Sequence, residues 1–222
     1  MDIFINEAGE TEKCSIGILV MENVNNESSE DKLMYVRQEL EDTIRSKYGQ
    51  ATRGDLKMLH PIDAFVSYYK KFGYTYHVLL QLESFIKGKP ILGRLPLVEA
   101  MFIAELKNML LTAGHDFDKI KAPLSLRVST GNERYTTING KDVTTISGDF
   151  MIADQENVIS SILRGQDLRT AITKDTTRVI YTVYAPFGVE EQLVREHLRE
   201  IEAYVRIFSP KSNTCLCQIF KE

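Results

Sequence analysis

Apolar residues recur at helical spacing through most of the first half of the chain, with charged residues on the opposite face. Three such segments cover residues 33–48, 61–73 and 78–86, and each predicts a helix. A longer apolar run covers residues 95–114, with Pro96 at its start and Gly114 at its end. Because proline is favoured in the first turn of a helix and glycine just beyond the last, we expect one central buried helix between them.

The pattern changes to that of strands near residue 123. Short runs of β-branched or alternating residues are typical of strands, and they read PLSLRVST, ERYTTI, DFMIAD, NVISSILR and TRVIYTVYA. An earlier run, CSIGILVMENV, predicts one more strand. Asn139-Gly140 predicts a tight hairpin. A final amphipathic helix is predicted from about Val189 to Arg206.

This order of elements predicts the fold class. Helices come first, antiparallel strands follow, and a C-terminal helix closes the chain, so we expect an α+β fold with a mainly antiparallel layered sheet core. The polar segment GQATRGDLK interrupts the early helical pattern. We therefore expect residues 1–57 to form a strand–helix extension packed on a core domain of residues 58–222.

The amino-acid composition limits the cellular compartment and the kinds of binding partner that we expect. Cys14, Cys215 and Cys217 are too few and too poorly placed for a disulfide framework, so we expect a cytoplasmic protein. The N-terminal residues show no targeting signal, and no stretch is long enough to span a bilayer. A formal net charge of −4 argues against binding nucleic acid over the whole surface, but 27 Lys and Arg residues can still form a local basic face.

The segment TAGHDFDKIK brings a histidine and two aspartates together. His115, Asp116 and Asp118 have the chemistry of a metal site or an acid–base pair. Alternatively, Gly114 ends the long helix and the aspartates form turns, which is the interpretation that the pattern favours. No histidine pair has metal-ligand spacing, so we expect neither a metal nor a cofactor.

Two further segments carry positive charge beside aromatic or hydroxyl groups. SYYKKFGYTYH interleaves tyrosines and lysines, a mix that stacks bases and holds phosphates. Tyr69 belongs to the apolar helix stripe, and the expected surface residues are Tyr68, Lys70, Lys71, Tyr74 and Tyr76, with Arg94 extending the patch. RGQDLRTAITKDTT offers cations to phosphate or carboxylate groups, namely Arg164, Arg169 and Lys174. Solvated loop charge is the alternative for this second segment.

Four segments resemble a known family in order. They read HPIDAFVSYYKKFG, RLPLVEAMFIAELKNMLLTAGHDFDKI, LRVSTGNERYTTINGK and LRGQDLRTAITKDTTRVIYTVYA. They are similar to the tRNA-binding (B-three/B-four) domain of the phenylalanyl-tRNA synthetase beta subunit, especially to its free-standing relatives, over about residues 58–206. In the full synthetase this α+β domain carries a pocket that hydrolyses wrongly attached tyrosine from the tRNA. Counted without gaps, the histidine of that pocket falls on Ala113 here, and the acid falls near Thr182.

The resemblance implies tRNA or aminoacyl-tRNA as a partner, and three hypotheses follow. The chain binds tRNA and edits it in trans with His115 as base; it binds a small amino-acid-like ligand without catalysis; or it is a structural module. We do not expect a complete synthetase. The predicted binding pocket comprises Glu99, Asp116, Arg169, Thr170, Thr176 and Thr177, and the predicted nucleic-acid contacts are Lys70, Lys71, Arg94 and Arg164. An editing pocket requires His115 and Thr177 to face one cavity. For Glu99 there is an alternative to a pocket role, because the helix dipole stabilises a carboxylate in the first turn of a helix.

Overall fold

The computed structural model describes residues 4–6 (backbone only), 14–27, 31–91 and 95–220. The helices are α1 (Met34–Tyr48), α2 (Arg53–Lys57), α3 (Ile62–Lys71), α4 (His77–Ile86), α5 (Pro96–Asn108) and α6 (Glu191–Phe208). The strands are β1 (Phe4–Asn6), β2 (Cys14–Glu22), β3 (Thr112–Asp116), β4 (Leu124–Val128), β5 (Arg134–Thr136), β6 (Asp142–Thr144), β7 (Phe150–Ala153), β8 (Val158–Ser161), β9 (Gly165–Gln166), β10 (Val179–Pro186) and β11 (Asn213–Phe220). None of the helices in these ranges is long and apolar enough to cross a membrane.

Two sheets pack face to face and form the core. One has four antiparallel strands in the order β11-β2-β10-β3, and the other has five strands in the order β1-β4-β7-β8-β9, of which β1 and β4 run parallel. Alternate side chains of β10 point to opposite faces. The Tyr184 hydroxyl lies 2.6 Å from Ser160 Oγ of β8, whereas the Tyr181 hydroxyl donates to Leu97 O of α5. The predicted α+β fold with a mainly antiparallel layered core is confirmed.

Helices α5 and α6 cover the outer face of the four-stranded sheet, and α1 and α4 pack on α5. The predicted C-terminal helix is confirmed as α6, which buries one apolar face against the sheet. Gly17 of β2 makes this close approach feasible, because a Cβ at that position would lie 2.5 Å from Val194 Cγ1 and 3.2 Å from Leu198 Cδ1. The N-terminal half of α6 therefore depends on a glycine in the strand beneath it.

Strand β2 lies in the interior of the four-stranded sheet, between β10 and β11. Most of its side chains are buried. Its ladders with both neighbours continue the main sheet into the part of the chain before residue 57. The division into residues 1–57 and 58–222 remains a prediction about domains, and the sheet runs across it.

The apolar run of residues 95–114 is not a single helix. Helix α5 ends at Asn108, and Met109 takes a left-handed φ of 60°. Shortly after this turn the chain enters β3. The buried Glu105 carboxylate accepts a hydrogen bond from Thr112 N at 2.9 Å, so it satisfies a backbone group that the turn would otherwise leave unpaired.

The prediction that Gly114 closes this helix is wrong. Gly114 lies inside β3, where a Cβ would approach Ile172 Cδ1 to 3.0 Å and Met101 Sδ to 3.1 Å. The glycine is therefore needed for close packing rather than for a left-handed turn. His115 and Asp116, which follow it, are strand residues instead of loop residues.

Candidate functional site

The segment that follows β9 runs along the outer edge of β3 and joins residues that are distant in sequence. Asp116 N donates to Thr170 O at 2.8 Å, and His115 forms a β-bridge with Ala171. The Gln166 side chain donates to Gly114 O. His115 and Thr170, which are 55 positions apart, are thereby brought into direct contact.

His115, Thr170 and Asp167 form a buried hydrogen-bonded chain. The Thr170 hydroxyl donates to Asp167 Oδ1 and lies 2.7 Å from His115 Nδ1. Because a hydroxyl has one proton to donate, Nδ1 carries the proton of the neutral imidazole and donates it to Thr170. His115 Nε2 is consequently unprotonated, and it is buried without a hydrogen-bond partner among the described residues.

The surroundings keep His115 neutral and enclosed. Its side chain is 0% exposed, and burial lowers its pKa to about 3, with a further contribution from the nearby Arg169 charge. A general base must come within hydrogen-bond distance of its substrate, and this ring is surrounded by protein. The catalytic role of His115 therefore stays a prediction, while the geometry shows it holding the segment around Thr170 to β3.

Asp116 and Thr176 form a second contact between the same two segments. Thr176 Oγ1 donates to Asp116 Oδ2 at 2.8 Å and accepts a hydrogen bond from Thr173 N at 2.9 Å. Both side chains are buried, whereas Thr177 is exposed. His115 is thus enclosed whereas Thr177 is exposed, and the editing pocket that requires both to face one cavity stays a prediction.

Arg169 is engaged by internal partners. Its Nη2 donates to both carboxylate oxygens of Asp154 at 3.0 Å, and its Nη1 donates to Lys119 O at 3.0 Å. Its Nε also lies 3.7 Å from Asp167 Oδ2. These contacts neutralise the guanidinium charge locally, and the ligand-binding role of Arg169 remains a prediction.

Glu99 lies apart from this cluster, in the first turn of α5. Its carboxylate is buried and forms an ion pair with Arg37 of α1, which also contacts Asp31. The free N–H groups of a helix start stabilise a carboxylate at this position. Both features favour a structural explanation for Glu99, and its pocket role remains a prediction.

The positions onto which the family's histidine and acid fall are neighbours in the fold. Ala113 and Thr182 are paired directly across β3 and β10, and the Thr182 hydroxyl donates to Ala113 O at 3.4 Å. Neither side chain is an acid or a base near neutral pH, so this pair offers no proton transfer. Within the described ranges there is also no group of three or more His, Cys, Asp or Glu residues arranged to hold a metal.

A basic surface forms where α3 ends. Lys70 and Lys71 are exposed, and Tyr74 just beyond them is 43% exposed. The Arg164 guanidinium lies 5.9 Å from the Tyr74 ring centroid, and Arg164 Nε donates to Thr144 O at 3.1 Å. The structure thereby brings together the basic segment around Lys70 and the one that contains Arg164, which are far apart in the sequence.

Buried tyrosines position this surface. Tyr68 and Tyr76, which were expected on the surface, are 4% and 0% exposed, so that part of the prediction is wrong. Tyr68 donates its hydroxyl proton to Asp149 Oδ1 at 2.7 Å, and Tyr69 donates to Ile162 O at 2.8 Å. Since Ile162 precedes Arg164 by two positions, these bonds fix α3 relative to that arginine.

The β5–β6 hairpin extends the surface with a groove of about 520 Å³. Its lining residues are Arg134, Tyr135, Thr136, Asp142, Val143, Thr144 and Asn157. Arg134 lies opposite Thr144 in the ladder, so its side chain shares a face of the hairpin with Thr144. Asp142, which accepts a hydrogen bond from Thr136 at 2.6 Å, supplies the negative charge in the groove.

We define the basic face as Lys70, Lys71, Tyr74, Arg134 and Arg164. Sequence reasoning missed Arg134 as a binding residue, because it occupies an ordinary strand position in ERYTTI. The structure confirms the predicted hairpin at Asn139-Gly140, with Gly140 at φ 73°. Such a turn sets the strand register and therefore the face to which each side chain of the hairpin points, which identifies Arg134 as outward-facing. Arg94, the remaining predicted nucleic-acid contact, lies outside the described residues.

Comparison with known proteins agrees with this architecture. Residues 98–204 match the B3/4 domain family. This part of the chain is a B3/B4-like domain. It contains β3, β10 and the β5–β6 hairpin, and therefore Arg134 and Arg164 of the basic face. Lys70, Lys71 and Tyr74 precede it.

The fold of the B3/B4-like domain and its flanking elements also occurs in a solved structure. An N-terminal fragment of the phenylalanyl-tRNA synthetase beta-subunit from Pyrococcus horikoshii matches 95% of the chain, with a TM-score of 0.51 and 14% identity. The chain covers 49% of that fragment, about half of its length. At this identity the likeness concerns the fold alone. A search of characterised proteins finds no match to the sequence.

Proposed function

We propose that the chain binds RNA of the tRNA class through the basic face. The B3/B4-like domain and the synthetase beta-subunit fold support a tRNA-related role. The observation that carries the proposal is that the Arg164 guanidinium lies beside the Tyr74 ring, close to Lys71 in sequence. The groove that Arg134 lines is next to them. Guanidinium and ammonium groups bind phosphates, and exposed aromatic rings stack on bases.

RNA binding depends on local clustering of cations because the chain as a whole has a net charge of −4. An overall acidic protein repels RNA at long range, so contact depends on a few close cations. Four cations at the face predict a slope of about −3 in a plot of log binding constant against log salt concentration, at about 0.8 per phosphate contact. The expected binding is therefore strong at low salt and weak at high salt.

Filter binding of total tRNA over a salt series tests this proposal. Lys71→Gln and Arg164→Gln should each weaken binding at low salt and reduce the slope by about 0.8. Lys47→Gln is a matched control, because Lys47 also lies beside a tyrosine, 5.2 Å from the Tyr48 ring centroid, but on α1. No binding at low salt, a flat salt dependence, or an equal loss in the Lys47 variant would reject the basic face.

Hydrolysis of mischarged tRNA is the finer expectation, and the enclosed His115 does not favour it. We expect tyrosyl- and phenylalanyl-tRNA incubated with the protein to lose their amino acids no faster than in buffer. His60 is exposed and serves as the control histidine. Release that His115→Ala abolishes and His60→Ala preserves would show that His115 becomes accessible, and it would restore the editing hypothesis.

A further inference from the structure

The two edges of the four-stranded sheet differ in their protection. The outer edge of β3 is covered by the segment around Thr170, through the backbone bond from Asp116 and the bridge at Ala171. At the opposite edge, β11 pairs with β2 along its whole length, and no other described strand pairs with it. The residues of β11 are exposed or half-buried. One edge is therefore closed and the other is open.

Apart from one bulge near its start, strand β11 lacks the features that usually prevent edge-to-edge pairing. Its sequence, NTCLCQIF, contains no charged residue and no proline, and it is 8 residues long. Edge strands are commonly protected by shortness, by charged residues or by proline. In the five-stranded sheet, the edge strands β1 and β9 have only 3 and 2 residues. The bulge between Thr214 and Leu216 leaves the remainder of β11 regular.

The charges around β11 favour a second copy of the same chain as its partner. Helix α6 and β11 are joined by a tight turn, in which Ser212 N donates to Ser209 O at 3.0 Å, so they run in opposite directions. Glu190 and Glu191 at the start of α6 therefore lie near the end of β11, one turn from Arg195. Lys211 and Arg206, which is paired with Glu202, lie near its beginning. When two copies pair antiparallel about a two-fold axis, Glu190 and Glu191 of each copy approach Lys211 and Arg206 of the other, and no end of like charge meets itself.

We infer that β11 is a dimerisation edge, at which two copies of this chain pair antiparallel and join their four-stranded sheets into one. A neutral strand can pair with itself without charge repulsion, and an antiparallel pair of this length gains about eight backbone hydrogen bonds. Directly opposed residues of an antiparallel pair share a face, so the two-fold axis must pass through a like pair, and in the register centred on Cys217 residues 214–220 of the two copies pair. The two Cys217 side chains then lie close together across the axis.

Sedimentation over about a hundredfold range of protein concentration tests the dimer. Cys217→Lys and Cys217→Glu each place like charges near the axis, so each variant alone should dissociate at about tenfold or more higher concentration than wild type. An equimolar mixture of the two variants should restore the dimer, because opposite charges then meet. The exposed Lys174→Glu is the control and should leave the dimer unchanged.

The outcomes separate the inference from its alternatives. A wild-type chain that is monomeric throughout, a dimer that survives both Cys217 substitutions, or a mixture that fails to dimerise would each overturn it. If the Cys217 variants do not fold, as judged by circular dichroism, Gln218→Lys and Gln218→Glu provide the same pair at the next exposed position. A short bismaleimide should also crosslink Cys217 between copies of a Cys215→Ser variant, and no crosslinking in the dimer would refute the register.

Discussion

Thr170→Val tests whether the buried chain from His115 to Asp167 holds the edge of β3. Valine has nearly the shape of threonine but lacks the hydroxyl, so His115 Nδ1–H loses its acceptor and Asp167 Oδ1 loses a donor. Each buried group left unsatisfied costs about 1–3 kcal/mol. Asp167 keeps the bond from Thr170 N at 3.3 Å, which limits the loss. We expect the free energy of unfolding to fall by about 2–4 kcal/mol.

Urea denaturation at neutral pH measures this loss. With a slope of about 2–3 kcal/mol per molar urea, the midpoint should fall by about 1 M. Thr170→Ser is the matched control, because it keeps the hydroxyl and removes only a methyl group, at a cost of about 1 kcal/mol. Equal midpoints for the valine and serine variants would refute the role of the hydroxyl.

The pH dependence provides an independent check on the same variant. Burial raises the pKa of Asp167, and the Thr170 hydroxyl opposes that rise, so its removal raises the pKa further. A carboxyl whose folded pKa lies above its unfolded value destabilises the folded state increasingly as pH rises through that folded pKa. The deficit of Thr170→Val should therefore be larger at neutral pH than at a pH near the ordinary aspartate pKa of 3.8. A deficit that is independent of pH would show that Asp167 is not involved.

Two further predictions concern the core. Gly17→Ala should lower the free energy of unfolding by about 1–3 kcal/mol, because the new methyl would lie 2.5 Å from Val194 Cγ1, whereas Gly54→Ala in α2 has room and should not destabilise. Burial lowers the pKa of His77 to about 4 and that of His115 and His197 to about 3. Below a pH of about 6.5 the unfolded chain therefore binds more protons than the folded chain. The free energy of unfolding should consequently fall from pH 6.5 toward pH 4. Asp149, whose pKa burial raises to about 6, acts in the opposite sense, and urea midpoints that rise on acidification would contradict the dominance of the histidines.

The helices and strands could be predicted where spacing and local turn residues agree. The β5–β6 hairpin and α6 are examples, since the Asn139-Gly140 pair and the apolar stripe of α6 are local features. The run of residues 95–114 could not be divided correctly, because a helix buried on all sides and a buried strand have the same apolar composition. The features that decide it are distant contacts, such as those that require Gly114 to lack a side chain.

The candidate site was predictable as a set of residues but not as a set of roles. The resemblance selected His115, Asp116 and Thr170, and the structure brings them together along β3. Thr170 bonds to His115 and to Asp167, and Asp116 bonds to Thr176, whereas His115 Nε2 has no partner among the described residues. No local pattern indicates the involvement of Asp167. Whether a polar residue is free for a ligand depends on such tertiary partners. For this reason the surface cations, rather than the buried cluster, carry the proposed function.

The basic face depends on contacts that cross the start of the B3/B4-like domain. Lys70 and Lys71 belong to α3, which precedes residues 98–204, whereas Arg164 belongs to the domain. Tyr68 links the two parts, since its hydroxyl donates to Asp149 and accepts a hydrogen bond from Phe150 N at 2.8 Å. These bonds are buried and therefore costly to break, so α3 should keep its position when RNA is absent. The cations are then already placed before binding, and the proposed RNA site is a property of α3 and the domain together rather than of residues 98–204 alone.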